Sequence, residues 1–310
     1  MSADTTRASS IALALDVGGM SIKSGLVMSN GDVIEFPPVP IDHRAGAEEI
    51  IATFLRAMAN TELTSVPLIA IAIPSPFDYA SGVSMMTHKF AALHGVDIGS
   101  ALHDALATLN TRTVQAIRFV NDAAAAGAGE IEALPDARGS TLVLTLGTGM
   151  GSSLFDNGQL VERRNTLQIS ELWSRSLQGD AASPPNGSDS TLADSLFSAT
   201  GLARFLDTET AQLQATIENG AVDGLLVAWG RRLGEFLAEL TPLLGLDRAV
   251  IGGGAGAAFT SFAPGVLETA PIEVVQAKLG SKGPLLGAAA LASDSSTRGL
   301  RSLGAARPDD

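Results

Sequence analysis

The sequence predicts an α/β fold in two lobes, built on a duplicated β-hairpin plan with a cleft between the lobes. Residues 11–36 and 140–163 each combine an apolar strand, a glycine turn, a second strand, an Asn-Gly turn and a third strand. Asn-Gly between alternating strands is the strongest short-range signal for a hairpin. Helices and strands alternate between the two copies, which indicates mixed sheets of the α/β class. Repetition of one unit predicts two similar lobes whose glycine turns face each other across the cleft.

The remaining elements follow from hydrophobic periodicity and from glycine and proline breaks. Short apolar runs predict buried strands at 67–74 and 115–122. Amphipathic or small-residue segments predict helices at 45–61, 98–110, 123–132, 191–206, 222–244 and 283–292. A loop rich in Pro, Gly, Ser and Asp is predicted at 177–190, and a strand that runs into a third glycine turn at 248–256.

These elements divide into two predicted domains and two tails. The small lobe spans 11–120 and takes back the closing helix near 284–292, whereas the large lobe spans 121–283. Residues 1–10 and 293–310 are expected to be disordered, as chain ends commonly are.

Composition and charge exclude several classes of function. The chain has 310 residues, of which 45% are hydrophobic and 17% charged, as is typical of a folded globular protein. Its formal net charge of −13 argues against binding to a nucleic-acid backbone. It contains no cysteine, which excludes disulfides and thiolate zinc sites. Because the sequence has neither a bilayer-spanning apolar run nor a signal-peptide pattern, we expect a cytoplasmic protein without membrane partners.

The glycine turn of the second hairpin, in LTLGTGMGSSLF (144–155), has two interpretations. Its small residues are Gly147, Thr148, Gly149 and Gly151. Glycine permits the positive φ that many turns need. Bare backbone amides at such a turn also bind anions, usually a phosphate. In the third glycine turn, Gly253 and Gly254 leave room for the flat face of a nucleotide.

Carboxylates stand at the ends of two predicted strands, where ligands of open α/β sheets bind. Asp16 ends the first strand, and Asn121 with Asp122 ends the strand before the alanine-rich helix. As structural residues, Asp16 is a turn carboxylate and Asn121 or Asp122 a helix N-cap. As functional residues, Asp16 holds Mg²⁺ through water and the pair faces a ligand. The alanine run also allows the helix to approach another backbone closely.

Together these features supply the parts of a phosphoryl-transfer site. Such a site works by positioning and by neutralising charge, while one carboxylate accepts the proton of the attacking hydroxyl. The combination therefore favours a kinase over the structural interpretation of each motif taken alone.

The quoted motifs resemble those of the ROK family of sugar kinases over residues 11–292, on the actin-like (ribonuclease-H-like) ATPase fold. LDVGGMSIKSGLV resembles the first phosphate motif of the family, and LTLGTGMGSSLF the second. FVNDAAAAGAGE is similar to the segment with the catalytic aspartate, and RAVIGGGAG to the strand on the nucleotide side. IPSPFDYASGV is similar to the substrate loop, and LGSKGPLLGAAALA to the closing helix.

The resemblance implies phosphorylation of a hexose or hexose derivative with ATP and Mg²⁺ as cofactors. Asp122 is then the general base and Asp16 the Mg²⁺ ligand. The implied sugar ligands are Ser75, His88, Asn121, Glu171 and Asp194. The implied ligands of the nucleotide and its phosphates are Gly18, Gly19, Lys23, Gly147, Thr148, Gly149, Gly151, Gly253 and Gly254. His88 with Lys89 favours an acidic or amino-substituted sugar, although loop residues of these types are more often only solvated.

The sequence departs from the family pattern near the sugar ligands. Glu171 matches a sugar-binding glutamate, but Trp173 and Ser174 replace the glycine and histidine that follow it. The loop DAASPPNGSDS replaces the cysteine-rich zinc module, so we expect no zinc. Asp194 stands where the last glutamate of that module falls, and it is one methylene shorter.

Met20 is a second departure, because the family usually has threonine or serine after the first glycine pair. A thioether neither donates a hydrogen bond to phosphate nor binds Mg²⁺ well. Either Ser21 or the backbone compensates, or catalysis is weakened.

These departures leave three functions open. The first is the ATP-dependent sugar kinase, and the second is a sugar-binding or regulatory relative without turnover. The third is a polyphosphate-dependent glucokinase, since LTLGTGMGSSLF and the strand after it resemble that group closely. About ten residues precede the first strand, so no DNA-binding domain is expected there. Family members are often dimers, which makes a homodimer an expectation.

Overall fold

The computed structural model describes residues 10–59, 66–108, 114–177 and 191–293. The predicted tails and the predicted loop at 177–190 lie almost entirely outside the described residues. The first strand begins at Ser10 and the last helix ends at Ser293, so both elements reach slightly into the predicted tails.

The strands of the five-stranded sheets and of two small ribbons are distributed along the whole described chain. They are β1 (Ser10–Val17), β2 (Ser21–Met28), β3 (Val33–Pro40), β4 (Leu68–Ile73), β5 (Phe77–Asp78), β6 (Val83–Ser84), β7 (Ala116–Asn121), β8 (Ser140–Leu146), β9 (Met150–Asp156), β10 (Gln159–Val161), β11 (Arg163–Arg164), β12 (Leu167–Gln168), β13 (Arg248–Gly252) and β14 (Glu273–Gln276).

The helices alternate with these strands, and five of the six predicted helical segments are observed as helices. They are α1 (Ala47–Met58), α2 (Ile98–Thr108), α3 (Asp122–Glu132), α4 (Ala193–Phe197), α5 (Ala199–Phe205), α6 (Leu213–Glu218), α7 (Asp223–Leu244), α8 (Gly253–Gly256), α9 (Phe259–Thr269) and α10 (Lys282–Ser293). Short 3-10 helices lie at Ala91–Leu93, Ile169–Ser174 and Thr210–Gln212.

The single helix predicted over 191–206 is wrong, because the segment forms α4 and α5 with a break at Ser198. The Ser198 backbone is extended, and its hydroxyl accepts a hydrogen bond from the Gly201 amide as the N-cap of α5. Among the described helices, none combines the length and apolarity that crossing a bilayer requires.

The chain divides into two compact units. Unit 1 comprises residues 10–129 and 281–293, and unit 2 comprises residues 130–280. The boundary predicted at residue 121 lies at the start of α3, whereas the observed division follows most of that helix. The helix stays with unit 1 because its backbone packs directly on α10. A Cβ at Gly129 or at Gly287 would overlap the backbone of the facing helix.

The sheet of unit 1 has the strand order β3-β2-β1-β4-β7. Strands β1, β2 and β3 are antiparallel neighbours, whereas β1, β4 and β7 are parallel. The register pairs Asp16 with Ala72 and Ile73 with Asn121. The carboxyl ends of the three parallel strands therefore meet at one edge of the sheet, and this edge carries the candidate residues of unit 1.

The sheet of unit 2 repeats this plan with the order β10-β9-β8-β13-β14. Here β8, β9 and β10 are antiparallel, and β8, β13 and β14 are parallel. The tight turn between β9 and β10 contains Asn157 and Gly158, both with positive φ, as an Asn-Gly hairpin requires. The duplicated hairpin plan predicted from the sequence is confirmed.

The core of unit 1 explains why β4 reads as a continuous apolar run. Its sequence LIAIAI is buried at every position. The isoleucines pack with residues of α1 and α2, and the alanines pack with residues of α10 on the opposite face. Successive strand residues point to opposite faces, so one strand serves two helical layers of different side-chain size. In unit 2 the core is built on α7 and α9, with Trp229 and Phe262 at its centre.

Candidate functional site

Asp16 lies on β1 at the carboxyl edge of unit 1, opposite Lys23 on β2. The Lys23 Nζ is 3.7 Å from the Asp16 Oδ2, and the Asp16 side chain is only 16% exposed. Burial raises the pKa of Asp16 above its ordinary value, and the charge of Lys23 lowers it in part. This carboxylate is ionisable, nearly buried and only loosely paired, so it suits a cation that arrives with a ligand.

The glycine turn after β1 is closed by the Gly18 amide, which donates to the Ser21 carbonyl at 3.0 Å. The amides of Gly19 and Met20 donate to no acceptor in the part of the chain that the structure describes. A Cβ at Gly19 would meet no atom within 4 Å, so the approach to its amide is open. The Met20 side chain is 80% exposed. The turn therefore offers two bare amides to an anion, with the exposed Met20 thioether beside them.

Asn121 links the end of β7 to the loop that follows β4. Its Nδ2 donates to the Ser75 Oγ and the Tyr79 hydroxyl, each at 3.1 Å, and to the Asp122 Oδ1 at 3.3 Å. Its Oδ1 accepts the Ala124 amide at 2.9 Å, which caps the first turn of α3. The structural and functional interpretations of Asn121 are therefore compatible. Its side-chain oxygen caps α3, while its side-chain nitrogen donates to the hydroxyls of Ser75 and Tyr79.

Asp122 begins α3, and its Oδ1 accepts the Ala123 amide at 2.8 Å. Burial raises the pKa of Asp122 to about 6, and the charge of Asp16 also raises it. The Ala123 amide and the charge of Lys89 lower the same pKa. A carboxylate with this pKa is ionised at neutral pH and is still basic enough to take up a proton during a reaction.

Tyr79 is a site residue that the sequence analysis missed. Its hydroxyl donates to the Ile73 carbonyl at 3.2 Å, lies 3.0 Å from the Ser75 Oγ and accepts from Asn121. Burial raises its pKa to about 12, so the phenol stays protonated. Two features of the sequence could have pointed to this residue: Tyr79 is the only tyrosine of the chain, and it falls within the predicted substrate loop IPSPFDYASGV.

The loop after β6 carries His88 and Lys89, and both side chains are exposed. Lys89 is close enough to Asp122 for its charge to lower the pKa of that carboxyl. His88 has no hydrogen bond to any described residue. The structure thus connects Lys89 to the candidate base, while His88 stands apart.

The glycine turn of unit 2 joins β8 to β9. It is closed by the Gly147 amide, which donates to the Gly149 carbonyl at 3.0 Å. Thr148 and Gly149 are exposed, and their amides donate to no acceptor among the described residues. Two adjacent bare amides at the tip of a turn form an anion-binding pair. Gly151 lies within β9 and pairs with Thr145.

Asp194, predicted as a sugar ligand, lies on α4 against this turn. Its Oδ1 accepts the Met150 amide at 2.7 Å. A Cβ at Gly149 would lie 3.1 Å from the same oxygen, which explains why glycine fits there. Asp194 is therefore a neighbour of the predicted donor-binding turn.

The third glycine turn follows β13 and begins α8. Gly253 has φ +82°, and a Cβ there would lie 2.6 Å from the Leu146 nitrogen. A Cβ at Gly254 would meet nothing within 4 Å. The third turn thus packs on the end of β8, directly before Gly147. The space next to the Gly254 Cα is open.

Glu171 lies exposed on the 3-10 helix Ile169–Ser174. Trp173 is 44% exposed on the same helix, and the Ser174 hydroxyl donates to the Glu171 carbonyl at 2.8 Å. The loop DAASPPNGSDS, which replaces the zinc module, lies outside the described residues. Within those residues, no group of three or more His, Asp or Glu side chains is arranged to hold a metal ion.

The predicted residues fall into two sets, one in each unit. Unit 1 brings together Ser75, Asn121 and Asp122 by hydrogen bonds, with Asp16 in electrostatic contact. Unit 2 brings together the turn 147–151, Asp194 and the turn at Gly253. The side chains of His88 and Glu171 join neither set through a hydrogen bond in the described part of the chain.

Comparison with known proteins identifies relatives of the N-terminal half of the chain and beyond. A model of the ROK family matches residues 12–167, just over half of the chain. A glucokinase from Halalkalibacterium halodurans is 25% identical over 197 residues, which cover 62% of this chain and 58% of that protein. The chain thus spans less than two thirds of the length of this relative.

Solved structures extend the similarity to nearly all of the chain. A ROK family glucokinase from Streptomyces griseus, solved with glucose and AMPPNP, has a TM-score of 0.68 at 20% identity, covering 91% of this chain and 99% of that one. An inorganic polyphosphate/ATP-glucomannokinase from Arthrobacter sp. strain KM has a TM-score of 0.64 at 22% identity, with coverages of 92% and 98%. At these identities the structures establish the fold, which is the actin-like fold of the ROK kinases.

Proposed function

The chain belongs to the ROK family, and on this premise we propose that it transfers a phosphoryl group from ATP to a hydroxyl of a hexose or hexose derivative. The observation that carries the proposal is Asp122, a half-buried carboxylate whose pKa is raised to about 6. It stands beside Asn121 at the carboxyl edge of the unit 1 sheet. General bases are tuned in this way, toward the pH at which they act.

In the proposed reaction, Asp122 accepts the proton of the attacking sugar hydroxyl. Ala123 and Asn121 donate to its Oδ1, which leaves Oδ2 as the atom that takes up the proton. The Asn121 amide and the hydroxyls of Ser75 and Tyr79 form a connected polar group next to it. These groups are of the type that binds and orients sugar hydroxyls.

The backbone turns suit the donor. The bare amides of Thr148 and Gly149 match phosphate oxygens, as do those of Gly19 and Met20. Mg²⁺ in kinases is held by one or two carboxylates with phosphate oxygens and water, so a protein cage is not needed. Asp16 fits that role, since it is nearly buried and its only ion pair with a described residue is the 3.7 Å contact with Lys23. When bound, Mg²⁺ neutralises charge on the phosphates of the donor.

The test is ADP release with ATP, Mg²⁺ and a panel of hexoses, amino sugars, N-acetylated sugars and sugar acids. Asp122→Asn keeps the shape and the Oδ1 acceptor but removes the base, so turnover on the active sugar should fall by about 10²–10⁴-fold. Asp42→Asn, a matched change of an exposed carboxylate in unit 1, should leave turnover unchanged. Full activity of Asp122→Asn would contradict the assignment of the base.

A polyphosphate donor is a second candidate, because one of the similar structures is a polyphosphate/ATP enzyme. The bare amides of the turns bind phosphate and do not read a base. Turnover with polyphosphate in the absence of ATP would support this candidate. Sugar binding without turnover with either donor would indicate a regulatory relative, the alternative that the exposed Met20 motivates.

A further inference from the structure

The Asp194 carboxylate accepts a hydrogen bond from the backbone of the glycine turn in unit 2. Its Oδ1 accepts the Met150 amide at 2.7 Å, at the point where β9 begins. A hydrogen bond between a carboxylate and a backbone amide at this distance is short and charge-assisted. The bond joins residues that are far apart in sequence, so it fixes tertiary rather than local structure.

A second contact fastens the other end of the same turn. The Ala199 amide, at the start of α5, donates to the Gly147 carbonyl at 2.7 Å. The corner between α4 and α5 is itself rigid, because the Ser198 amide donates to the Asp194 carbonyl at 3.1 Å and the Ser198 hydroxyl caps α5. The α4–α5 corner is therefore hydrogen-bonded to both ends of the turn.

These contacts decide which amides of the turn remain available. Gly147 donates to Gly149 and Met150 donates to Asp194, so both of these amides are engaged. Thr148 and Gly149 at the tip keep amides without a partner among the described residues. A turn held at its base with two bare amides at its tip is preorganised for a phosphate group.

We infer that Asp194 is a positioning residue for the donor-binding turn rather than a ligand of the sugar. This inference rests on the proposed function for the identity of the donor. The short side chain of Asp194 reaches the Met150 amide while α4 packs closely on the turn. The closeness is shown by the Asp194 Oδ1, which would lie only 3.1 Å from a Cβ placed at Gly149. The turn requires a hydrogen-bond acceptor at this position, and the negative charge of the carboxylate strengthens the bond.

The experiment compares Asp194→Ala with Asp194→Asn in the full chain. Two quantities are measured, the hydrogen-exchange rate of the Met150 amide and the affinity for AMPPNP. Asp194→Ala should speed exchange at Met150 and weaken AMPPNP about tenfold, while leaving the KM for the sugar unchanged. Asp194→Asn keeps an oxygen acceptor and should restore both quantities to within about twofold of the parent chain.

Glu209→Ala is the matched control, because Glu209 is an exposed carboxylate of the same unit and has no predicted role in the site. It should leave exchange at Met150 and AMPPNP affinity unchanged. The inference is overturned if Asp194→Ala raises the KM for the sugar with AMPPNP affinity and Met150 exchange intact. It is also overturned if Asp194→Asn disturbs the turn as much as Asp194→Ala does.

The exchange measurement separates this inference from the proposed function, because it needs no ligand. If the parent chain binds no AMPPNP and turns over no sugar, the proposed function fails. Faster exchange at Met150 in Asp194→Ala would then still support the positioning role, and unchanged exchange would overturn it.

Discussion

The two glycine turns occupy equivalent places in two sheets of the same plan, yet they are built differently. The turn of unit 1 is surrounded by charge, with Asp16 beside Lys23 and within electrostatic reach of Asp122. The turn of unit 2 presents backbone amides, and its Asp194 carboxylate is bound to one of them. The two sheets therefore share their strand order, while the side chains around their glycine turns differ.

Under the proposed function, this difference gives the two copies separate tasks. A side chain that carries charge can hold a cation or move a proton, whereas a bare amide can only bind and orient an anion. Changes of charge in unit 1 should alter turnover, and changes of backbone shape in unit 2 should alter stability or donor affinity. The following predictions test this division.

The largest effect is expected for Asp16→Asn, which keeps the size of the side chain but removes its charge. Turnover should fall ~100-fold or more and should recover in part at high Mg²⁺, because the cation loses its carboxylate. ADP release measured across Mg²⁺ concentrations checks this expectation. Asp32→Asn, on an exposed turn of the same unit, is the control and should behave as the parent chain. An unchanged Mg²⁺ requirement in Asp16→Asn would place the metal elsewhere.

In unit 2, Gly253→Ala should destabilise the fold by about 1–3 kcal/mol, since φ is positive there and the new Cβ meets the Leu146 backbone. Gly254→Ala is the neighbouring control, with open space around its Cβ, and should change the free energy of unfolding by less than about 0.5 kcal/mol. Urea unfolding measures both variants. Equal stabilities would mean that the third turn does not need its left-handed glycine.

The pH profile of kcat/KM should show an acidic limb near the pKa of Asp122, which is raised to about 6. Activity rises with pH through this value because the base must be ionised. The charge of Lys89 lowers that pKa, so Lys89→Met should move the limb to higher pH. Lys89→Arg keeps the charge and should leave the limb in place. A shift to lower pH in Lys89→Met would refute the electrostatic contact.

The smallest effect is expected for Met20→Thr, which restores a hydroxyl at the exposed tip of the unit 1 turn. Turnover should rise by about threefold, because a hydroxyl adds a donor to a phosphate oxygen. Met85→Thr, also exposed in unit 1, is the control for removal of a surface methionine. No change in Met20→Thr would mean that the bare amides already suffice.

Most of the fold was predictable from local patterns. The apolar run LIAIAI, the Asn-Gly turns and the glycine-rich strand ends are short-range signals, and each produced the expected element. The helix predicted at 191–206 failed because the break at Ser198 depends on a capping bond and on packing against the 147–150 turn. The observed division lies after residue 129 rather than at 121, because glycine contacts between α3 and α10 join segments that are distant in sequence.

The candidate carboxylates and turns were predictable from residue order alone, because strand ends and glycine clusters are recognisable without a structure. The sequence named Asn121 and Asp122, and they lie together at the edge of one sheet. The hydrogen bonds of Tyr79 to this group and of Asp194 to the Met150 amide became visible only in the folded chain. These contacts depend on the meeting of distant segments, and burial at such meeting points also sets the pKa of Asp122. Residue type and spacing carry no information about either.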